Sequence, residues 1–160
     1  MMELMNILGA AAALAYFGTS ILLFVLRLIR RPRAARRLGL IQTVSMGIVA
    51  IALLVAAHLL HRPLLYFVQI EVMLLFLLVE LLLDFILKLD FRRSRAAVIG
   101  YVILFFAGTG GMVGVASRAG TAWAVLAVGL FLIMAVLAFI QHSKVENRNL
   151  NAVTGSLQDG

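Results

Sequence analysis

Three carboxylates stand where lipid-compatible sequence should exclude them: Glu71, Glu80 and Asp84, all inside the apolar run 64–87. An ionisable group at the centre of a bilayer costs at least about 2.5 kcal/mol on insertion scales, so such a side chain turns toward other helices or a wet cavity. At 100° per residue Glu80 and Asp84 share one helix face, as do Tyr66 and Gln69, whereas Glu71 points almost the opposite way. A carboxylate pair in low dielectric can hold a cation or an amine, or share a proton. The structural alternative pairs Asp84 with Lys88 one turn on, and lets Glu80 accept hydrogen bonds from nearby hydroxyls or meet Arg27. Glu71 has His58, His61 and Arg62 as candidate partners.

These residues need helices to position them. Five runs reach the length of about 20 residues that a hydrocarbon core about 30 Å thick requires: 4–26, 38–60, 64–87, 96–117 and 119–141. Four of them lack Asp, Glu, Lys and Arg altogether. His61-Arg62-Pro63 forms a tight turn, so the second and third helices run antiparallel and facing residue numbers sum to roughly 125. Glu80 then lies level with Val44 and Ser45, and Asp84 level with Ile41 and Gln42. Counting from the same membrane face brings Thr19 and Ser20 to the depth of Glu80, and Tyr101 to that of Asp84. The expected candidate site is a polar layer of Thr19, Ser20, Gln42, Ser45, Glu80, Asp84 and Tyr101.

Composition agrees with a bundle in lipid: 64% of the chain is hydrophobic and 13% charged, with a mean hydropathy of +1.09, whereas soluble domains are about a quarter charged. The spans leave no room for a soluble domain. The expected fold is an all-α polytopic transmembrane bundle of five helices over residues 1–143, followed by a polar, flexible tail over 144–160. The first run lacks a basic leader and exceeds the usual signal core, so it is expected to remain as a helix.

Basic residues set the expected orientation. Five crossings place Arg27, Arg30, Arg31, Arg33, Arg36, Arg37, Lys88, Arg92, Arg93, Arg95, Lys144 and Arg148 on one face, and Arg62 and Arg118 alone on the other. Twelve against two predicts an N-terminus outside and a tail inside the cell (inner) membrane. The net charge of +7 therefore reflects topology, and no nucleic-acid partner is expected. Arg30, Arg31, Arg33, Arg36 and Arg37 can also attract anionic lipid head groups, at about 1 kcal/mol per basic residue near the surface.

Glycines mark a second feature. Gly108, Gly110, Gly111 and Gly114 punctuate the fourth span, and the Gly110/Gly114 pair has the spacing that lets helix backbones approach closely. Close packing, within the chain or against a partner, is the simpler reading; a broken helix whose freed backbone lines a ligand site is the sharper one. Gly18-Thr19-Ser20 echoes Gly108-Thr109-Gly110, as an inverted repeat about the third helix would.

Enzymatic chemistry finds little foothold. No cysteine occurs, hence no thiolate nucleophile or thiolate metal site. HExxH, GxSxG and phosphate-loop patterns are missing too. His58 and His61 lie at one membrane face and His142 at the other, a poor geometry for an axially ligated haem. The chain is read as not an enzyme, with no cofactor and no metal.

The segments LLVELLLDFILKLDFR (77–92), YVILFFAGTGGMVGVASRAG (101–120) and LFLIMAVLAF (130–139) resemble small prokaryotic five-helix integral membrane proteins to which no activity is attached. The resemblance implies a membrane bundle and nothing about chemistry. The five-helix tryptophan-rich sensory family is excluded, since this chain has one tryptophan, Trp123, and its two prolines stand in predicted loops. The expected role is a noncatalytic structural or accessory membrane component, a homo-oligomer or a partner of another membrane protein. The alternative is a small transporter, channel or ligand-binding protein using the carboxylate layer.

Overall fold

The computed structural model describes residues 2–86 and 95–158, with side chains described over 2–83, 86 and 97–141. The described residues form α1 (Met2–Leu28), α2 (Pro32–Leu59), α3 (Leu64–Glu80), α4 (Arg95–Ser117) and α5 (Thr121–Gln158), and contain no strand. A π-helical turn, Leu81–Ile86, continues α3. All five helices are long and apolar enough to cross a membrane.

Two connections are built alike, and their chemistry explains how short they are. At the end of α1 the Arg31 N–H reaches back to the Leu26 carbonyl at 2.9 Å, with Arg30 at φ 59°. At the end of α2 the Arg62 N–H reaches the Ala57 carbonyl at 3.0 Å, with His61 at φ 48°. This is the six-to-one closure of a Schellman cap, in which one left-handed residue turns the chain and satisfies orphan carbonyls. Proline follows in both, Pro32 and Pro63, where a missing N–H is no loss at a helix start. The first loop shrinks to residues 29–31, so Arg33, Arg36 and Arg37 stand on the first turns of α2 instead of in a long loop. The Pro-Arg-Ala-Ala-Arg-Arg stretch favours this, being proline at the first position followed by good helix formers.

The bundle has two central helices. α1 packs against α2, α4 and α5, and α4 packs against α1, α3 and α5. The quartet α2, α3, α4, α1 closes on itself, and α5 lies along α1 and α4. An arrangement symmetric about the third helix is not the packing observed, since α1 packs on both α4 and α5 whereas α2 packs comparably on neither. α5 is the most peripheral span, with 11% of its apolar window buried.

Burial follows helical periods. α1 buries Gly9, Ala10, Ala13, Tyr16, Phe17, Ser20 and Leu23, and α2 buries Ala35, Gly39, Gln42, Thr43, Met46, Ala50, Leu53 and Ala57. Recurrence at three and four residues makes one stripe per helix, and small residues in the stripes let the helices approach closely. Phe17, Met73, Phe76, Met112 and Met134 fill the main core, with Phe17 and Phe76 edge-on to Phe131 and Phe105. Outward faces carry large apolar side chains along the helices, including Leu4, Ile41, Ile48, Leu75, Ile103, Leu132 and Phe139. Such continuous exposure suits lipid and would be untenable in water.

α4 is unbroken through Gly108–Gly111. α5 runs on as helix to Gln158, across the stretch expected as a flexible tail. Residues 142–154 contain neither proline nor glycine, and extending a formed helix avoids the cost of nucleating one.

Candidate functional site

Beginning from α1, the site is assembled by residues one turn apart. Tyr16 is 5% exposed and its phenol sits beside the Ser20 hydroxyl, within electrostatic reach of Glu80 and Tyr101. From α2, the Gln42 amide Nε2 donates to Ser20 Oγ at 2.5 Å and to the Tyr16 carbonyl at 3.3 Å. The adjacent Thr43 hydroxyl donates to Glu80 Oε2 at 3.3 Å. Three helices are thereby tied in sequence, α1 to α2 through Gln42 and α2 to α3 through Thr43. Tyr101 of α4 closes the fourth side, half-buried with its ring 5.9 Å from that of Phe76.

One acceptor in this layer has no hydrogen-bond partner: Gln42 Oε1, on a side chain 9% exposed. Both amide protons can be used by Ser20 and Tyr16, which leaves the oxygen facing the interior. A buried acceptor without a donor costs about 1–3 kcal/mol.

The polar layer expected from the sequence divides. Ser20 and Gln42 are joined directly, Glu80 is tied to the residue after Gln42, Thr43, and Tyr101 lies against Phe76, one turn before Glu80. Thr19 bonds the carbonyls of its own helix, Ala15 at 2.8 Å and Tyr16 at 3.0 Å. Ser45 is exposed and bonds the Gln42 carbonyl at 3.1 Å. The Asp84 side chain lies outside the described residues, as does any pairing with Lys88. Its backbone belongs to the π-helical turn, so the α-helical spacing that placed it on the Glu80 face does not hold from Leu81 to Ile86.

Tyr16 and Thr43 were missed for different reasons. The Thr43–Glu80 bond gives facing numbers that sum to 123, two fewer than the even count from the turn. Two residues rotate the inward face of α2 by about 200°, exchanging Ser45 for Thr43. The stripe Ala35, Gly39, Thr43, Met46, Ala50 was the available signal. Tyr16 could have been found as the residue one turn before Ser20.

The glycines of α4 also separate by face. A Cβ on Gly108 would meet Phe76 Cβ at 2.9 Å, and one on Gly111 would meet the Gln69 carbonyl oxygen at 2.7 Å. A Cβ on Gly114 would collide with the Gln69 amide. These three face α3 within the same chain. Gly110 is exposed, and a Cβ there would meet nothing within 4 Å.

The arginines Arg30, Arg31, Arg33, Arg36 and Arg37 are all exposed around the α1–α2 turn. At the opposite end, Arg62 donates to the Met2 carbonyl at 3.1 Å and Asn6 Oδ1 at 2.8 Å, and stacks on Tyr66 at 5.3 Å. This clamp holds the start of α1 against the α2–α3 turn. Among the described residues no group of three His, Asp or Glu side chains could hold a metal ion.

No protein-family model, curated protein or solved structure matches the chain.

Proposed function

We propose that this chain is a noncatalytic structural or accessory component of the cell (inner) membrane, with its N-terminus outside and its basic α1–α2 turn at the cytoplasmic surface. The observation that carries the reading is the use of the polar layer as interhelical connection. The Gln42 and Thr43 donors are spent on neighbouring helices, while the outward faces carry mainly large apolar side chains. Interhelical hydrogen bonds of this kind specify how membrane helices associate. The face available to a membrane partner or a second copy is the outer side of α5 and the open side of Gly110, since Gly108, Gly111 and Gly114 are occupied by α3. Native mass spectrometry of the protein gently extracted from its source membrane tests this: a stoichiometric protein partner or homo-oligomer is expected. A monomer retaining a stoichiometric small molecule would overturn it. Orientation is tested separately, because a cysteine-free chain accepts single reporters. Ala119→Cys in intact cells should react with a membrane-impermeant maleimide and Arg33→Cys should not.

A second reading is favoured by the unpartnered Gln42 oxygen. Together with the Glu80 carboxylate and the Tyr16, Ser20 and Thr43 hydroxyls it makes an all-oxygen set, the donor type preferred by hard cations and by protons. A small transporter, channel or ligand-binding protein would use such a set. Proteoliposomes would then show cation or proton flux that Glu80→Gln alters, and absence of flux across a cation panel would dismiss this second reading.

A further inference from the structure

Glu71 has no part in the polar layer. It is exposed on the outer side of α3, and among the described residues it makes no hydrogen bond or ion pair. It lies seven residues into α3, about 10 Å along the helix from Leu64, which is below the level of the α2–α3 turn. Arg62, the nearest cation in sequence, is turned away toward Met2, Asn6 and the Tyr66 ring.

Beside Glu71 the outer surfaces of α2 and α3 form a groove of about 460 Å³, lined by Leu54, Val55, His58, Leu59, Phe67 and Glu71. Phe67 and Glu71 are one turn apart and so stand on the same wall. The groove opens to the side where lipid would lie: Val55 and Leu59 are 56% and 72% exposed.

We propose that this groove is a binding site for lipophilic cations, meaning organic ammonium or phosphonium ions that partition into the bilayer. An acyl chain fills the apolar walls but leaves the carboxylate unanswered. A bare metal ion finds one carboxylate and one imidazole among four apolar side chains, too few donors for a stable shell. A zwitterionic head group resides at the surface, above the depth of Glu71. An apolar cation satisfies every element of the groove at once: Leu54, Val55 and Leu59 cover its hydrocarbon, Phe67 offers a ring face, and Glu71 supplies the countercharge. The cost of a carboxylate in lipid is offset when the ligand brings the opposite charge with it. His58, the other titratable group lining the groove, sits at its mouth on the last turn of α2.

Equilibrium dialysis of the full-length protein in lipid nanodiscs, with labelled tetraphenylphosphonium as probe, tests the assignment. Saturable binding near one ion per chain is expected, weakened at least tenfold by Glu71→Gln and several-fold by Phe67→Leu. Val55→Trp keeps the carboxylate but fills the groove, and should abolish binding. Glu80→Gln should leave it unchanged, which separates this site from the polar layer. Tetraphenylborate, of similar size and opposite charge, should not bind saturably. The proposal is overturned if the wild-type chain shows no saturable phosphonium binding, if Glu71→Gln binds as well as wild type, or if the borate binds equally. Loss of binding in Glu80→Gln with retention in Glu71→Gln also overturns it. So does a wild-type dimer that Glu71→Gln converts to monomer, since the groove is then a subunit contact.

Discussion

Replacing Gly111 by alanine should push α3 and α4 apart, whereas the same change at Gly110, one residue away, should not. A Cβ on Gly111 lies 2.7 Å from the Gln69 carbonyl oxygen and 3.3 Å from its Cα. Both are backbone atoms in mid-helix, so no side-chain rotation can relieve the contact. Reaching ordinary contact near 3.4 Å requires the helices to part by roughly 0.7 Å, enough to forfeit about a quarter to a half of the dispersion attraction of each displaced atom pair. The face concerned includes Met73, Phe76, Met112 and Val115, all at most 1% exposed. Overpacking of this kind costs about 1–3 kcal/mol, partly offset by about 0.5–1 kcal/mol because alanine loses less backbone entropy than glycine in a helix. A net loss of about 1–2 kcal/mol is expected for Gly111→Ala, against a neutral or slightly stabilising Gly110→Ala. Trp123, the only tryptophan and partly buried against the main core, reports unfolding by its fluorescence as sodium dodecyl sulfate is titrated into dodecyl maltoside micelles. Equal destabilisation by the two variants would refute the argument that α4 presents Gly111, and not Gly110, to α3.

Three more outcomes follow from the geometry. Thr43→Val should destabilise by about 0.6 kcal/mol, the average for interhelical hydrogen bonds in lipid, and by no more than about 1.7 kcal/mol, because it removes the donor to Glu80, while Ser45→Ala should be silent in the same titration. Arg62→Ala should speed amide hydrogen exchange over residues 2–8 by releasing Met2 and Asn6, and Arg62→Lys should restore little, since an ammonium lacks the planar fork that bonds and stacks together; unchanged exchange would discount the clamp. His61→Gly should raise stability by about 1 kcal/mol, as glycine adopts the φ of 48° without the penalty of a Cβ, and a loss in the same assay would mean that the imidazole makes contacts worth more than the strain.

What the chain determines by itself is what a single helix can report. Five apolar helices, the tight turn at Pro63 and the scarcity of charge inside the apolar runs are local properties set by hydropathy and by proline and cap chemistry. They were legible, and depth counted at 1.5 Å per residue put Ser20 and Gln42 in one layer, where the structure joins them by a hydrogen bond. Rotation and register between helices were not legible. They are decided by which small residues interlock across each pair, and an error of two residues exchanges one face for the other, as it did for Ser45 and Thr43. The same holds for α4, where Gly108, Gly111 and Gly114 read alike with Gly110 in sequence, and only the positions of Phe76 and Gln69 on α3 tell three of them from the fourth. Tertiary packing alone also made Thr43 the partner of Glu80, since which residue a helix buries depends on the neighbours it meets.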